Sequence, residues 1–222
     1  MAKLFIWDFD GVIANTPHEE AWSIACKVYG ITGFDHDFYE NFVSGFTNYE
    51  GSKNILEKLL HLKDIANKEK IILDFSNLKS EIYFDLLKQG KYSLNYSVLQ
   101  FLKKSRYAGI LQALASASDP SLIDALFQRE GLKVSELFDI NVSGAGKTKT
   151  EIFSKAFDIA IRMHGKIETV FVFEDAPIGV TAGKSLGYIV IGCFNRSLKK
   201  YGADLIVEDF SSIDLGDILI LK

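Results

Sequence analysis

Little in this 222-residue sequence belongs to a secreted, membrane or nucleic-acid-binding protein. There are only two cysteines, Cys26 and Cys193, far apart and with no CxxC or zinc-ligand spacing. A disulfide framework and a cysteine-based zinc site are therefore excluded, and free thiols in a reducing compartment are expected. No apolar run approaches a membrane span. The opening MAKLFIWDFDG has four apolar residues before its aspartates, too few for a signal-peptide core, so a cytoplasmic protein is expected. Positive charge is also not in excess: the formal net charge is −4, whereas broad nucleic-acid binding needs a basic face. Such a balance leaves room for a phosphorylated small molecule, because a metal ion and one lysine can set the local field. Internal repeats and low-complexity stretches are missing as well. What remains, at 48% hydrophobic and 24% charged residues, is material for a globular core.

Short apolar runs recur with helical segments between them, the pattern of a parallel sheet covered by helices. The runs are Leu4–Trp7, Ile110–Ala115, Asp139–Val142, Thr169–Phe173, Tyr188–Phe194 and Asp204–Val207. Two intervening helices have readable ends. Asp119-Pro120 supplies an N-cap and an N1 proline, and Gly131 follows the stripe of Leu122, Ile123, Leu126 and Phe127. Thr148-Lys149-Thr150-Glu151 is a capping-box pattern opening a helix through Ile152, Phe153, Ala156 and Phe157.

Residues 15–92 carry no strand signal. They read as helices near Glu19–Tyr29, Asp37–Val43, Ser52–Ala66 and Asn77–Gln89, with Ile55, Leu59, Leu62 and Ile65–Ala66 on one helix face. An insertion of about 75 residues far exceeds what a crossover between parallel strands requires. The sequence thus predicts an α/β core domain over 1–14 and 93–222, with a helical cap domain over 15–92.

The polar residues at the strand ends carry the chemistry. Asp8 and Asp10 stand where the first run ends in Asp-Phe-Asp-Gly; strand periodicity puts them on one side, and Gly11 permits a sharp turn. Ligands of open parallel sheets bind beyond the carboxyl ends of the strands. A second acidic pair, Glu174-Asp175, follows Thr169–Phe173 and precedes Pro177. Either pair alone is also what a solvated acidic turn looks like. Two pairs at the ends of different strands point to a divalent cation, and oxygen ligands suit Mg²⁺. Ser116 follows the Ile110–Ala115 run before a helix N-terminus, where backbone N–H groups favour anions. Lys147 lies beside the next such N-terminus. By themselves the serine is as readily a cap and the lysine a solvated charge; order and position give them weight.

Asp8-Phe9-Asp10-Gly11-Val12, then Ser116, Lys147, and Glu174-Asp175 with Gly179, resemble the four ordered motifs of the haloacid dehalogenase superfamily. Ala113–Ser118 and Glu174–Gly179 are most similar to its beta-phosphoglucomutase and phosphoglycolate-phosphatase-like branch. The resemblance covers the whole chain, because a helical cap after the first motif belongs to that branch. It implies a Rossmann-like core and a phosphomonoester hydrolase working through an aspartyl-phosphate. Asp8 would be the nucleophile, and Asp10 the general acid and then the base. Asp8, Glu174, Asp175 and the backbone carbonyl of Asp10 would hold Mg²⁺, while Ser116 and Lys147 would hold the phosphoryl oxygens. An acid at position 10 favours phosphate esters, since a halide leaving group needs no proton.

Departures from the family pattern bear on the substrate. Thr148 and Thr150 stand where relatives often have prolines, and Asn15 where many have aspartate. The cap stretch Ser44–Glu50 lacks the arginine with which the sugar-phosphate mutases grip a second phosphate; the nearest cation is Lys53. This favours a phosphatase acting on a small phosphorylated metabolite, with a sugar-phosphate mutase as the alternative. His18, at the start of the cap, is either a gating histidine or a surface one, and Phe34, Phe38, Tyr39, Phe42 and Phe46 either line a cleft or form cap core. A P-loop in Gly144–Thr148 fails because position 141 is Asn, not glycine. A phospho-signalling receiver, the non-enzymatic rival, leaves the cap unexplained, and a catalytically dead relative is not called for because every chemical position is filled.

Overall fold

The structure is a computed structural model that describes residues 2–61 and 67–221. The chain divides into two compact units, Met1–Asn15 with Leu94–Lys222, and Thr16–Ser93.

The first unit is built on a six-stranded, all-parallel sheet. Its strands are β1 (Ala2–Trp7), β4 (Leu111–Leu114), β5 (Ile140–Asn141), β6 (Ile167–Glu174), β7 (Ile189–Cys193) and β8 (Leu205–Val207), in the order β5-β4-β1-β6-β7-β8. All six correspond to the apolar runs of the sequence. Strands of such a sheet are covered on both faces and so read as continuous hydrophobic runs. Alternation sorts their side chains. Leu4 and Ile6 of β1 join Val170 and Val172 of β6 in a core shared with Ile152, Phe153 and Ala156 of α8 (Lys149–His164) and Val180 of α9 (Pro177–Ser185). The opposite face is aromatic: Phe5 meets Phe171, and Trp7 stacks on Phe173 with centroids 3.7 Å apart. Phe210 and Phe101, the latter on α5 (Tyr96–Tyr107), close this cluster. The Trp7 indole donates to Gln112 Oε1 (2.7 Å), so its one polar atom is satisfied in the interior.

The helix ends are set by the caps expected of them. Asp119 accepts from the N–H groups of Ser121 and Leu122 to open α6 (Pro120–Arg129), and Gly131 beyond its end is left-handed (φ +69°). Helices α7 (Val134–Leu137) and α10 (Leu215–Leu219) are short.

The second unit is helical: α1 (His18–Val28), α2 (His36–Phe42), α3 (Asn48–Leu59) and α4 (Lys68–Lys88). The expected helix Ser52–Ala66 corresponds to α3; Leu62 and Ile65–Ala66 lie outside the described residues. α4 starts well before the expected Asn77. Its buried face runs Ile72, Phe75, Ser76, Lys79, Tyr83, and the polar residues within it break the apolar stripe that would have revealed its length. Trp22, Cys26, Ile55, Leu56, Ile72 and Phe75 form the core of this unit, against which Phe34, Phe38 and Tyr39 pack; of the other two aromatics singled out in the sequence, Phe42 is exposed, its ring against Phe38 and Lys58, and Phe46 is half-buried. Two-residue strands, β2 (Ala14–Asn15) and β3 (Ser93–Leu94), pair with each other where the chain passes between units. Their brevity gave no periodic signal. Among the described residues no helix is long and apolar enough to cross a membrane.

Candidate active site

Asp8 directly follows β1, and its N–H donates to Phe173 O (3.0 Å), extending the β1–β6 ladder by one residue. Glu174 is the last residue of β6. That single bond aligns the two strand ends, so that both carboxylates, each essentially buried, emerge side by side. Lys149, the first residue of α8, places its buried ammonium between them, 2.7 Å from Asp8 Oδ1 and 2.7 Å from Glu174 Oε1.

The lysine expected here was Lys147, and the structure does not bring it to the site: it is exposed, and its contribution is a backbone N–H that donates to Glu151 Oε2 (2.8 Å). Thr148 Oγ accepts from Glu151 N (3.2 Å), so the cap is as expected except that the glutamate reaches back one residue further, to Lys147. The cap fixes Thr148 as the N-cap. Lys149 then falls on the same helix face as Ile152, Phe153, Ala156 and Ala160, all buried. A lysine in register with an apolar stripe must be paired, and this was the signal available in the sequence.

Asp8, Glu174 and Asp175 each offer a carboxylate oxygen, all within 4.8 Å of one another. Two glycines make room for this group. A Cβ on Gly11, which is left-handed (φ +80°), would lie 1.8 Å from Asp175 Oδ2, and one on Gly179 would lie 1.9 Å from Glu174 Oε1. The second oxygen of Glu174 accepts from Ala176 N (3.0 Å), which fixes its rotamer. Asp10 is held differently. Its Oδ2 accepts from Ser118 Oγ at 2.5 Å and faces Ser116 Oγ at 3.4 Å. Ser116 is buried and also accepts from Ser118 N (3.0 Å). Of the expected residues, Asp8, Glu174 and Asp175 thus come together, with Asp10 tied to Ser116. Lys149 and Ser118 are the additions.

The electrostatics are strained. Burial pushes the Asp8 carboxyl up, Lys149 pulls it down, and Glu174 and then Asp10 push it up again, so that the group stands at about 7. Burial pulls the Lys149 ammonium down, but Asp8 and Glu174 outweigh it and hold the group above the ordinary lysine range. A divalent cation fits the observed donors. Asp8 Oδ1 and Glu174 Oε1 are buried, and although the ammonium is at ion-pair distance, neither receives a well-aligned hydrogen bond. Such hard oxygens, with acidic charge in excess, are what Mg²⁺ takes.

In the helical unit, Lys79 is fully buried and donates to His18 Nδ1 (2.7 Å) and Asn48 Oδ1 (2.9 Å). The His18 ring stacks on Tyr83, with centroids 4.1 Å apart. His18 is therefore part of a packed polar cluster rather than a solvated surface residue. Lys53 lies half-buried on α3.

A parallel α/β core with carboxylates at adjacent strand ends, an inserted helical unit and a buried lysine defines a hydrolase of one particular class. The chain belongs to the haloacid dehalogenase-like hydrolases, whose family model matches residues 2–187. It is 27% identical to 2-deoxyglucose-6-phosphate phosphatase 1 of Saccharomyces cerevisiae, over 96% of this chain and 90% of that protein. Phosphorylated carbohydrates phosphatase of Thermotoga maritima is 28% identical, over 91% of this chain and 93% of that one. Among solved structures, an archaeal beta-phosphoglucomutase from Pyrococcus sp. strain ST 04 superposes with a TM-score of 0.81 at 38% identity, covering 99% of this chain and 97% of the other.

Proposed function

We propose that this enzyme is a Mg²⁺-dependent phosphatase that hydrolyses a small phosphorylated metabolite, a sugar phosphate by the company of its relatives, through an aspartyl-phosphate on Asp8. The observation that carries the reading is the Asp8 carboxylate set against Lys149 and Glu174, with a second aspartate two residues on. Asp8 attacks phosphorus, the bond from phosphorus to the leaving oxygen breaks, and Asp10 gives that oxygen its proton. Asp10 then takes a proton from water, whose oxygen attacks phosphorus; the bond to Asp8 breaks and phosphate leaves. Ser116 and Lys149, rather than Lys147, hold the phosphoryl oxygens. Asp8, Glu174, Asp175 and the backbone carbonyl of Asp10 would hold Mg²⁺, which when bound supplies charge neutralisation for the transferring group. The helical unit, 15–92 by the sequence reading, acts as a cap that selects the substrate and excludes water. A cytoplasmic enzyme is the reading that two cysteines without CxxC or zinc-ligand spacing support.

The similarity to a beta-phosphoglucomutase supports a second reading, a sugar-phosphate mutase. Against it stands Ser44–Glu50, which has no arginine for a second phosphate. The test is phosphate release from a panel of phosphorylated metabolites with Mg²⁺ and with EDTA, beside Asp8→Asn and Asp10→Asn. Metal-dependent release that Asp8→Asn abolishes supports the phosphatase. Interconversion of sugar phosphates without release supports the mutase, and full activity of Asp8→Asn refutes both.

A further inference from the structure

Two hydroxyls converge on one oxygen of Asp10, and they are not equivalent. Ser116 is tied to the turn by accepting from Ser118 N, and its oxygen stands 3.4 Å from Asp10 Oδ2, at the edge of hydrogen-bond range. Ser118 Oγ donates to the same oxygen at 2.5 Å, well inside hydrogen-bond range. A serine at this position, just before a helix, would ordinarily be explained as its cap. That duty is already taken: Asp119 accepts from Ser121 N (2.8 Å) and Leu122 N (3.4 Å). The backbone N–H of Ser118 goes to Ser116, and its side chain is spent on Asp10.

Asp10 follows β1 on a tight turn that Gly11 completes, bridged to Ala14 and closed by Gly11 N donating to Ala14 O (2.7 Å) and Ala14 N to Phe9 O (2.9 Å), and the residue is half-buried. Asp8 is fixed by the ladder and by Lys149. We infer that Ser118 is a positioning residue for proton transfer by Asp10, an inference that rests on the phosphatase reading above. Ser118 gains and loses no proton over the cycle. Its hydroxyl holds the carboxyl in place while the Asp10 proton passes to the leaving oxygen as the phosphorus–oxygen bond breaks, and while the proton of the attacking water returns to Asp10.

The test exploits leaving groups. p-Nitrophenolate departs without a proton, whereas an alkyl ester requires one, and kcat/KM reports only the steps through leaving-group departure. Ser118→Ala is measured on p-nitrophenyl phosphate and on the best alkyl phosphate of the metabolite panel, both with Mg²⁺. Positioned general acids contribute on the order of 10²- to 10⁴-fold, so loss of the positioning bond is expected to lower kcat/KM for the alkyl ester by about 10- to 100-fold. For p-nitrophenyl phosphate the change should stay below about threefold, which also shows that the variant is folded. Ser118→Thr, which keeps the hydroxyl, should preserve the wild-type ratio between the two esters. Equal losses on both esters, no loss on either, or a Thr variant whose ratio falls as far as that of Ala overturns the inference while leaving the phosphatase reading intact. A wild-type enzyme that releases phosphate from neither ester overturns both.

Discussion

Replacing Lys149 by Met, with Lys147→Met beside it, separates the two lysines that the sequence leaves as neighbours. In the wild type one ammonium lies 2.7 Å from each of two buried carboxylates. Met fills similar volume but strands both, and breaking a buried pair by removing one partner costs about 3–5 kcal/mol. At about 2–4 °C per kcal/mol for a chain of this size, the melting temperature in EDTA should fall by roughly 6–20 °C. The loss should depend on pH. The ammonium is what holds Asp8 down to about 7, so without it the carboxyl moves further up. A carboxyl whose folded pKa lies above its unfolded value costs no stability below the unfolded value of 3.8 and progressively more as pH rises toward the folded one. The deficit should accordingly be smaller at pH 5 than at pH 8. Turnover should fall by about 10²- to 10³-fold, the usual loss when one donor to a developing anion is removed. Lys147→Met should change melting by no more than about 1 °C and turnover by less than about twofold, as its side chain is exposed. Differential scanning fluorimetry in EDTA and phosphate release in Mg²⁺ read both quantities. If Lys147→Met is the more damaging, or Lys149→Met melts like wild type, the site as described is wrong.

Asp8→Asn should abolish turnover yet raise the metal-free melting temperature at pH 8, because it removes a carboxylate held up to about 7 by burial; the gain, at most about 4 kcal/mol, should vanish near pH 4, and calorimetry in EDTA at the two pH values checks it. Gly179→Ala would favour α9 by about 1 kcal/mol on helix propensity alone, but its Cβ would lie 1.9 Å from Glu174 Oε1, so the Mg²⁺ concentration for half-maximal activity should rise tenfold or more, on the order of the loss when a metal site's supporting residues are changed. Gly11→Ala adds backbone strain at φ +80° to a contact of 1.8 Å with Asp175, and its metal titration should be shifted at least as far.

The sheet was the most legible part of the molecule. A parallel strand buried on both faces announces itself as an apolar run, as Thr169–Phe173 does, and the helices opened by Asp119 and Thr148 begin where their caps require. Two-residue strands such as Ala14–Asn15 have no period to detect, and the N-terminal half of α4 was hidden because Ser76 interrupts its buried face after Ile72 and Phe75. The acidic residues of the site were readable from their places at strand ends. The lysine was not, because the residue before the N-cap and the residue after it are both lysine, and only the phase of the α8 apolar stripe distinguishes them. Ser118 had no signal at all, since Asp119 already supplies the cap and nothing in the sequence shows that the Ser118 hydroxyl reaches Asp10.

The tryptophan stacked on Phe173 has a use beyond packing. The sequence contains two tryptophans, Trp7 in the α/β unit and Trp22 in the helical one, so each unit carries its own intrinsic fluorophore. Trp7 adjoins Asp8, and the ring it stacks on adjoins Glu174, so its emission is placed to respond when a cation or a phosphoryl group arrives at the strand ends. Trp22, under the Lys79 ammonium, reports instead on the interior of the helical unit. Single-tryptophan variants would therefore resolve the melting of the two units, and the binding of ligands, without any added label.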